Sequence, residues 1–221
     1  MIVKICGVNS MDAARGAVEA GADMIGLNFY PRSVRYVDAA EGARISRAIR
    51  LAAPHVVRVG VFVNTPVDVV AGLLEKCQLD LAQLSGDEGP EELAALGGRA
   101  LKVIRAGVTR DACDQAARYA RGDAPALLFD AGGAGQYGGT GQQADWQIAA
   151  AVASRYPIML AGGLTPETVA AAIAAVRPWG VDVASGVESV RIEVRDTGPG
   201  VPEALREVVF RRLVRGDPAR S

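Results

Sequence analysis

Lys4-Ile5-Cys6-Gly7 stands close to the start of a 221-residue chain. If this segment is a strand, alternate side chains share a face, so the ammonium and the thiol point the same way. A nearby cation favours the thiolate, the form that serves as a base or a nucleophile. A buried, inert cysteine is the plainer reading of a strand cysteine; the strand-end position and the lysine weigh against it without deciding. A second candidate, Asp130, closes the apolar run Leu127-Leu128-Phe129 and precedes the glycine-rich "AGGAGQYGGTG". A carboxyl at the end of an apolar strand can be held neutral and act as an acid near pH 7. A carboxylate that caps the loop or pairs with an arginine weighs equally. Further on, "LAGGL" at 160–164 and "ASGVE" at 184–188 place Gly162, Gly163, Ser185 and Gly186 after two more apolar runs. Small residues there let backbone N–H groups approach an anion such as phosphate. Tight turns would need the same residues, but two such loops at adjacent strand ends favour the anion. The loop "YPRSVRYV" offers Arg32 and Arg35, either of which can grip a carboxylate with two parallel hydrogen bonds, and local sequence does not choose between them.

These groups need a frame that brings distant strand ends together. Strand patterns fall near 2–6, 23–29, 56–63, 79–84, 100–105, 125–130, 157–161 and 180–184, with helical patterns between them. Asp38-x-x-Glu41 reads as a capping box, and Thr65-Pro66 and Thr165-Pro166 each read as an N-cap before a proline at the first helical position. Ile45, Ala48, Ile49 and Ala52 follow the helical period. Connections are short except at 30–37 and 131–144. Eight strand–helix repeats predict a (β/α)8 (TIM) barrel rather than a doubly wound open sheet, because no GxGxxG follows the first strand and no Walker A loop follows any other. In such a barrel chemistry gathers at the C-terminal strand ends, which is where the candidates lie.

Composition narrows the function classes. The net charge is −1, so no global field draws nucleic acid or an acidic membrane. No apolar run approaches the roughly 20 residues that span a bilayer. "MIVKICG" enters structure directly, which predicts no signal peptide and a cytoplasmic location. Cys6, Cys77 and Cys113 are scattered, as expected of free thiols in a reducing compartment; Cys77 and Cys113 fall on helices as packing residues. A single histidine, His55, excludes a histidine-rich metal site.

Taken together, "KICGV" at 4–8, "DAARGAVEAGADMIGLNF" at 12–29, "SVRYV" at 33–37, "VGVFVN" at 59–64, "LAQLSGDE" at 81–88, "FD" at 129–130, "GGTG" at 138–141, "DW" at 145–146, "LAGGLTPETV" at 160–169 and "GVDVASGVE" at 180–188 resemble the phosphoribosylanthranilate isomerases of tryptophan biosynthesis. The resemblance covers residues 1–189. It implies an Amadori rearrangement of an aminoaldose to an aminoketose, with Cys6 as general base and Asp130 as general acid. It further implies Arg35 at the anthranilate carboxylate, the glycines at 162–163 and the 185–186 turn at the phosphate, and no cofactor or metal. A small phosphorylated substrate is the implied partner, with no nucleic acid or membrane, and a monomer or homodimer as the assembly. Two positions depart mildly: Val34 stands where the family usually has proline, and Ser85 where it usually has histidine.

Residues 190–221 depart more. "VRIEVRDTGPGVPEALREVVFRRLVRGD" resembles a fragment of the ATP-binding domain of sensor histidine kinases, where Asp196 would meet adenine and Phe210 would lead to the lid. The partner motifs of that site, an asparagine-bearing helix upstream and a second glycine loop downstream, are not in this sequence. The expected organisation is therefore a barrel over 1–189 and a foreign-looking tail over 190–221. Within the tail, 202–214 carries Leu205, Val208, Val209 and Leu213 on one face and could take the eighth helical position. Three outcomes are weighed: the isomerase; a related aminoaldose isomerase of histidine biosynthesis, which uses aspartate where Cys6 stands; and a chimeric chain that binds phosphorylated ligand with impaired or no turnover.

Overall fold

The computed structural model describes residues 1–105, 109–121, 126–130 and 146–184. Eight strands alternate with seven helices in them: β1 (Ile2–Cys6), α1 (Met11–Glu19), β2 (Met24–Asn28), α2 (Ala39–Ala52), β3 (Val57–Phe62), α3 (Val67–Lys76), β4 (Leu81–Leu84), α4 (Pro90–Ala95), β5 (Ala100–Arg105), α5 (Thr109–Tyr119), β6 (Leu127–Asp130), α6 (Trp146–Ala153), β7 (Ile158–Ala161), α7 (Val169–Val176) and β8 (Gly180–Val183). Each strand pairs in parallel with the next, and β1 closes on β8 through Ile2↔Gly180 to Ile5↔Val183. This is the predicted (β/α)8 barrel.

The two-residue alternation of the strands divides the apolar residues into two layers. Outward-facing Val3, Ile5, Ile25, Leu27, Phe62, Leu127 and Leu160 pack on the helices. Inward-facing Met24, Val59, Leu101, Val103, Leu128 and Met159 fill the barrel itself. The interior is thus a packed plug that supports whatever sits above it, not a pore. At the N-terminal end polar side chains clip neighbouring strands: Asp80 accepts from the Arg58 backbone N–H at 2.7 Å and from its guanidinium at 2.6 and 2.8 Å.

The helix starts depart from the sequence patterns. Asp38 caps α2, accepting from the N–H groups of Ala40 and Glu41, but the Glu41 carboxylate turns to Arg44 instead of completing the box. α3 begins at Val67 with Pro66 itself at the cap, so Thr65 is not the N-cap. α7 begins at Val169, with Thr168 at the cap position but no side-chain cap; a turn intervenes after Thr165, whose N–H meets the Thr168 hydroxyl at 2.9 Å. On α2, Gly42 and Ser46 join Ile45 and Ile49 on the buried face, while Ala52 is exposed. Cys77 packs in the core just past α3, and Cys113 is half-buried on α5. Ser185, Gly186, the loop after Asp130 and the whole of 190–221 lie outside the described residues. No described helix follows β8.

Candidate functional site

A cavity of about 320 Å³ opens at the C-terminal ends of the strands. That volume suits a small organic ligand. Cys6 reaches it from β1, Asn28 from β2, Gln83 from β4, Arg105 from β5, Asp130 from β6 and Asp182 from β8, with Arg35, Ser85, Gly162 and Gly163 contributed by the loops above. Cys6, Asp130, Arg35, Gly162 and Gly163 are therefore brought to one cavity from separate parts of the sequence.

Cys6 sits half-buried at the end of β1, with Lys4 directly below it on the same inward face. Lys4 is fully buried, and its Nζ donates to Asp182 Oδ1 at 2.8 Å. Nothing on β2 separates lysine from cysteine, because Gly26 has no side chain to place there. A Cβ at Gly26 would fall 2.8 Å from Cys6 Sγ and 3.2 Å from Lys4 Nζ. The expectation that lysine favours the thiolate holds only in part. Burial pushes the Cys6 thiol up; Lys4 draws it back and Asp182 opposes that, so it stands above the ordinary thiol range. Burial also works against the Lys4 ammonium, yet Asp182 and Cys6 more than offset it and hold Lys4 charged above its usual range. Asp130 adds its field to Asp182 from β6.

Arg35 is placed by its own loop. Asn28 accepts from the Tyr30 N–H at 2.9 Å and donates to the Ser33 hydroxyl at 3.0 Å, and that hydroxyl accepts from the Arg35 N–H at 3.1 Å. The arginine stem then crosses Gly7. Gly7 has φ +78°, and a Cβ there would lie 2.2 Å from Arg35 Cδ, so both backbone shape and clearance demand glycine. Arg32 also lines the cavity but is exposed, without a comparable seat. Val34 is 91 % exposed at the rim. After β7, Gly162 and Gly163 take φ +95° and +64°, a conformation that favours glycine and turns the chain across the cavity.

Sequence reasoning passed over Asn28, which seats the Arg35 loop, and three further cavity residues. Asp182 has no local motif, and its signal was only an acid inside the apolar β8. Arg105 ends β5, pairs in register with Asp130 and donates to the Ser85 carbonyl. Gln83 Nε2 donates to the Ser85 hydroxyl at 3.2 Å. Among the described residues no cluster of three or more His, Cys, Asp or Glu side chains could hold a metal ion, and no helix is long and apolar enough to cross a membrane.

Residues 3–195 match the family model described as N-(5'phosphoribosyl)anthranilate (PRA) isomerase. The chain belongs to this family. Among PRA isomerases, that of Roseiflexus castenholzii is 48% identical over 194 residues, covering 86% of this chain and 90% of the relative. That of Myxococcus xanthus is 43% identical over 210 residues, covering 94% and 93%. Among solved PRA isomerases, a monomeric form generated from the dimeric Thermotoga maritima protein superposes with a TM-score of 0.73 at 33% identity, covering 98% of this chain and all of that one. Another, in complex with reduced 1-(o-carboxyphenylamino)-1-deoxyribulose 5-phosphate, superposes at 0.72 with 32% identity over 98% of this chain.

Proposed function

We propose that the chain converts N-(5'-phosphoribosyl)anthranilate to 1-(2-carboxyphenylamino)-1-deoxyribulose 5-phosphate, the isomerisation step of tryptophan biosynthesis. The observation that carries this reading is the convergence of Cys6 and Asp130 on one cavity whose rim holds Arg35 and the Gly162–Gly163 turn. Asp130 protonates the furanose ring oxygen, and the ring opens to a Schiff base. Cys6, as thiolate, removes the proton from sugar carbon 2. The electron pair moves into the carbon 1–carbon 2 bond and neutralises the iminium nitrogen, giving an enolamine that tautomerises to the ketone. The step needs one partner protonated and the other deprotonated at the same pH. Arg35 takes the anthranilate carboxylate. The N–H groups after β7, with those of Ser185 and Gly186, take the phosphate. The chemistry calls for no metal or organic cofactor.

The histidine-pathway reading is disfavoured by cysteine at position 6. For the rest of the chain, the apolar outer faces of Val3 and Ile5 on β1 and of Val181 and Val183 on β8 support assigning 202–214 to the eighth helical position, as a monomer or homodimer in the cytoplasm. Purified chain incubated with phosphoribosylanthranilate should extinguish the anthranilate fluorescence, and Asp130→Asn should slow this by about 10²-fold or more. Wild-type chain that left the fluorescence unchanged while turning over the histidine-pathway aminoaldose would overturn the assignment.

A further inference from the structure

Lys4 and Asp182 are buried charges that the acid–base scheme above does not use. A fully buried ammonium is costly unless it is paired. Asp182 supplies that pairing at 2.8 Å, and it does so from inside the barrel, on the strand that closes it. The position is specific. Lys4 Nζ and Cys6 Sγ both lie within 3.2 Å of a single point, the place a Cβ on Gly26 would occupy. The glycine thus keeps open the space in which nitrogen and sulfur face each other. Among the described residues, the other charged groups that line the cavity with Cys6 are Asp182 on β8, Asp130 on β6, Arg105 on β5, and Arg32 and Arg35 from the loop after β2. β2 presents only Met24, Gly26 and Asn28 on its inner face.

We infer that Lys4 is a positioning residue for Cys6: its ammonium, anchored by Asp182, faces the sulfur and favours the thiolate against the burial that disfavours it, and Gly26 keeps the contact open. Three N–H donors on one ammonium serve both partners, one toward Asp182 Oδ1 and another toward the sulfur. The lysine keeps its proton throughout. When Cys6 accepts the proton from sugar carbon 2, the sulfur becomes neutral and the Lys4–Asp182 pair remains as a neutral unit beneath it. Asp182 therefore has two opposed effects, repelling the thiolate directly and stabilising it through Lys4. Burial is the strongest influence raising the thiol, and Lys4 is the strongest influence drawing it back. This rests on Cys6 being the base, but it is read out without turnover.

The experiment is the pH dependence of Cys6 alkylation by iodoacetamide in the full-length chain, resolved from Cys77 and Cys113 by peptide mass spectrometry. Lys4→Met should move the midpoint upward by about one unit or more, and the thiolate ultraviolet absorbance should move with it. At fixed pH a one-unit shift lowers the thiolate fraction, and with it kcat, by about tenfold. Lys4→Met strands the Asp182 charge and could cost the fold. Lys4→Met/Asp182→Asn removes both charges and should still shift upward, because the lysine outweighs the aspartate at the sulfur. A midpoint in the double variant equal to or below that of the parent overturns the inference. Full turnover by Cys6→Ala would instead refute the general-base assignment, leaving the alkylation shift to be judged on its own.

Discussion

Lys4 meets Asp182 and Lys102 meets Glu88 at the same 2.8 Å separation, each pair withdrawn from solvent. Their surroundings differ. Glu88 also accepts the backbone N–H of Asn64 at 2.7 Å and that of Gly86 at 2.8 Å, and Lys102 donates to the Gly86 carbonyl at 2.6 Å. Tyr119 closes the group, its hydroxyl on the Glu88 carbonyl and its ring 5.8 Å from the ammonium. Beyond the ion pair and the ring, the two side chains bond to backbone groups of the loops after β3 and β4. The Lys4–Asp182 pair ties no loop. It lies inside the barrel, its neighbours are a thiol and the open face of a glycine, and the cavity begins above it. The first pair uses its hydrogen bonds to fix loop shape, while the second leaves some of its capacity facing Cys6.

Substitutions can break that contrast. The largest expected effect is on the structural pair: Glu88→Ala leaves a buried ammonium unpaired and should lower stability by about 3–5 kcal/mol, measured by urea denaturation, with kcat of the folded fraction within about threefold of the parent because neither Glu88 nor Lys102 lines the cavity. If instead kcat fell as far as in Lys4→Met at equal stability, the two pairs would not differ in kind. Gly26→Ala comes next. Its methyl group would press on Cys6 Sγ and Lys4 Nζ, and overpacking of this sort costs about 1–3 kcal/mol; kcat should fall with KM little changed. Gly7→Ala should do the reverse, raising KM by about tenfold as the Arg35 stem is displaced and half of a bidentate grip is lost. Asp38→Ala, which uncaps α2 without removing a cavity-lining residue, should cost about 1 kcal/mol and leave kinetics alone.

The smallest effect is one of pH. The folded chain holds both Cys6 and Lys4 above their ordinary pKa values, so it binds these protons more tightly than the unfolded chain does. Their contribution to stability is complete below the unfolded thiol range and is lost as pH rises through the folded values. Melting temperature should therefore fall in alkali, and less steeply in Cys6→Ala.

The barrel was legible because its signals are local. Each strand is a short apolar run, and the ladders trimmed the expected ends by only one or two residues, as at 79–84, where β4 begins at Leu81. The positions of Cys6, Asp130 and Gly162–Gly163 followed from the rule that strand ends face one cavity. What local pattern did not carry was closure. Lys4 and Asp182 are 178 residues apart, and only the pairing of β1 with β8 makes them neighbours. The choice between Arg32 and Arg35 likewise depends on Gly7, which lies in another loop. The start of α3 moved by one residue, to Val67 with Pro66 at the cap, and that of α7 moved to Val169 because a turn follows Thr165.

The central claim is that the sulfur at the end of β1 performs the proton abstraction in this cavity. Its most direct test is the rate at which Cys6→Ala consumes phosphoribosylanthranilate, followed by fluorescence beside the parent chain at equal folded concentration. A loss of about 10²-fold or more in kcat, with substrate binding retained, is the predicted result. Turnover by Cys6→Ala at the parent rate would contradict it.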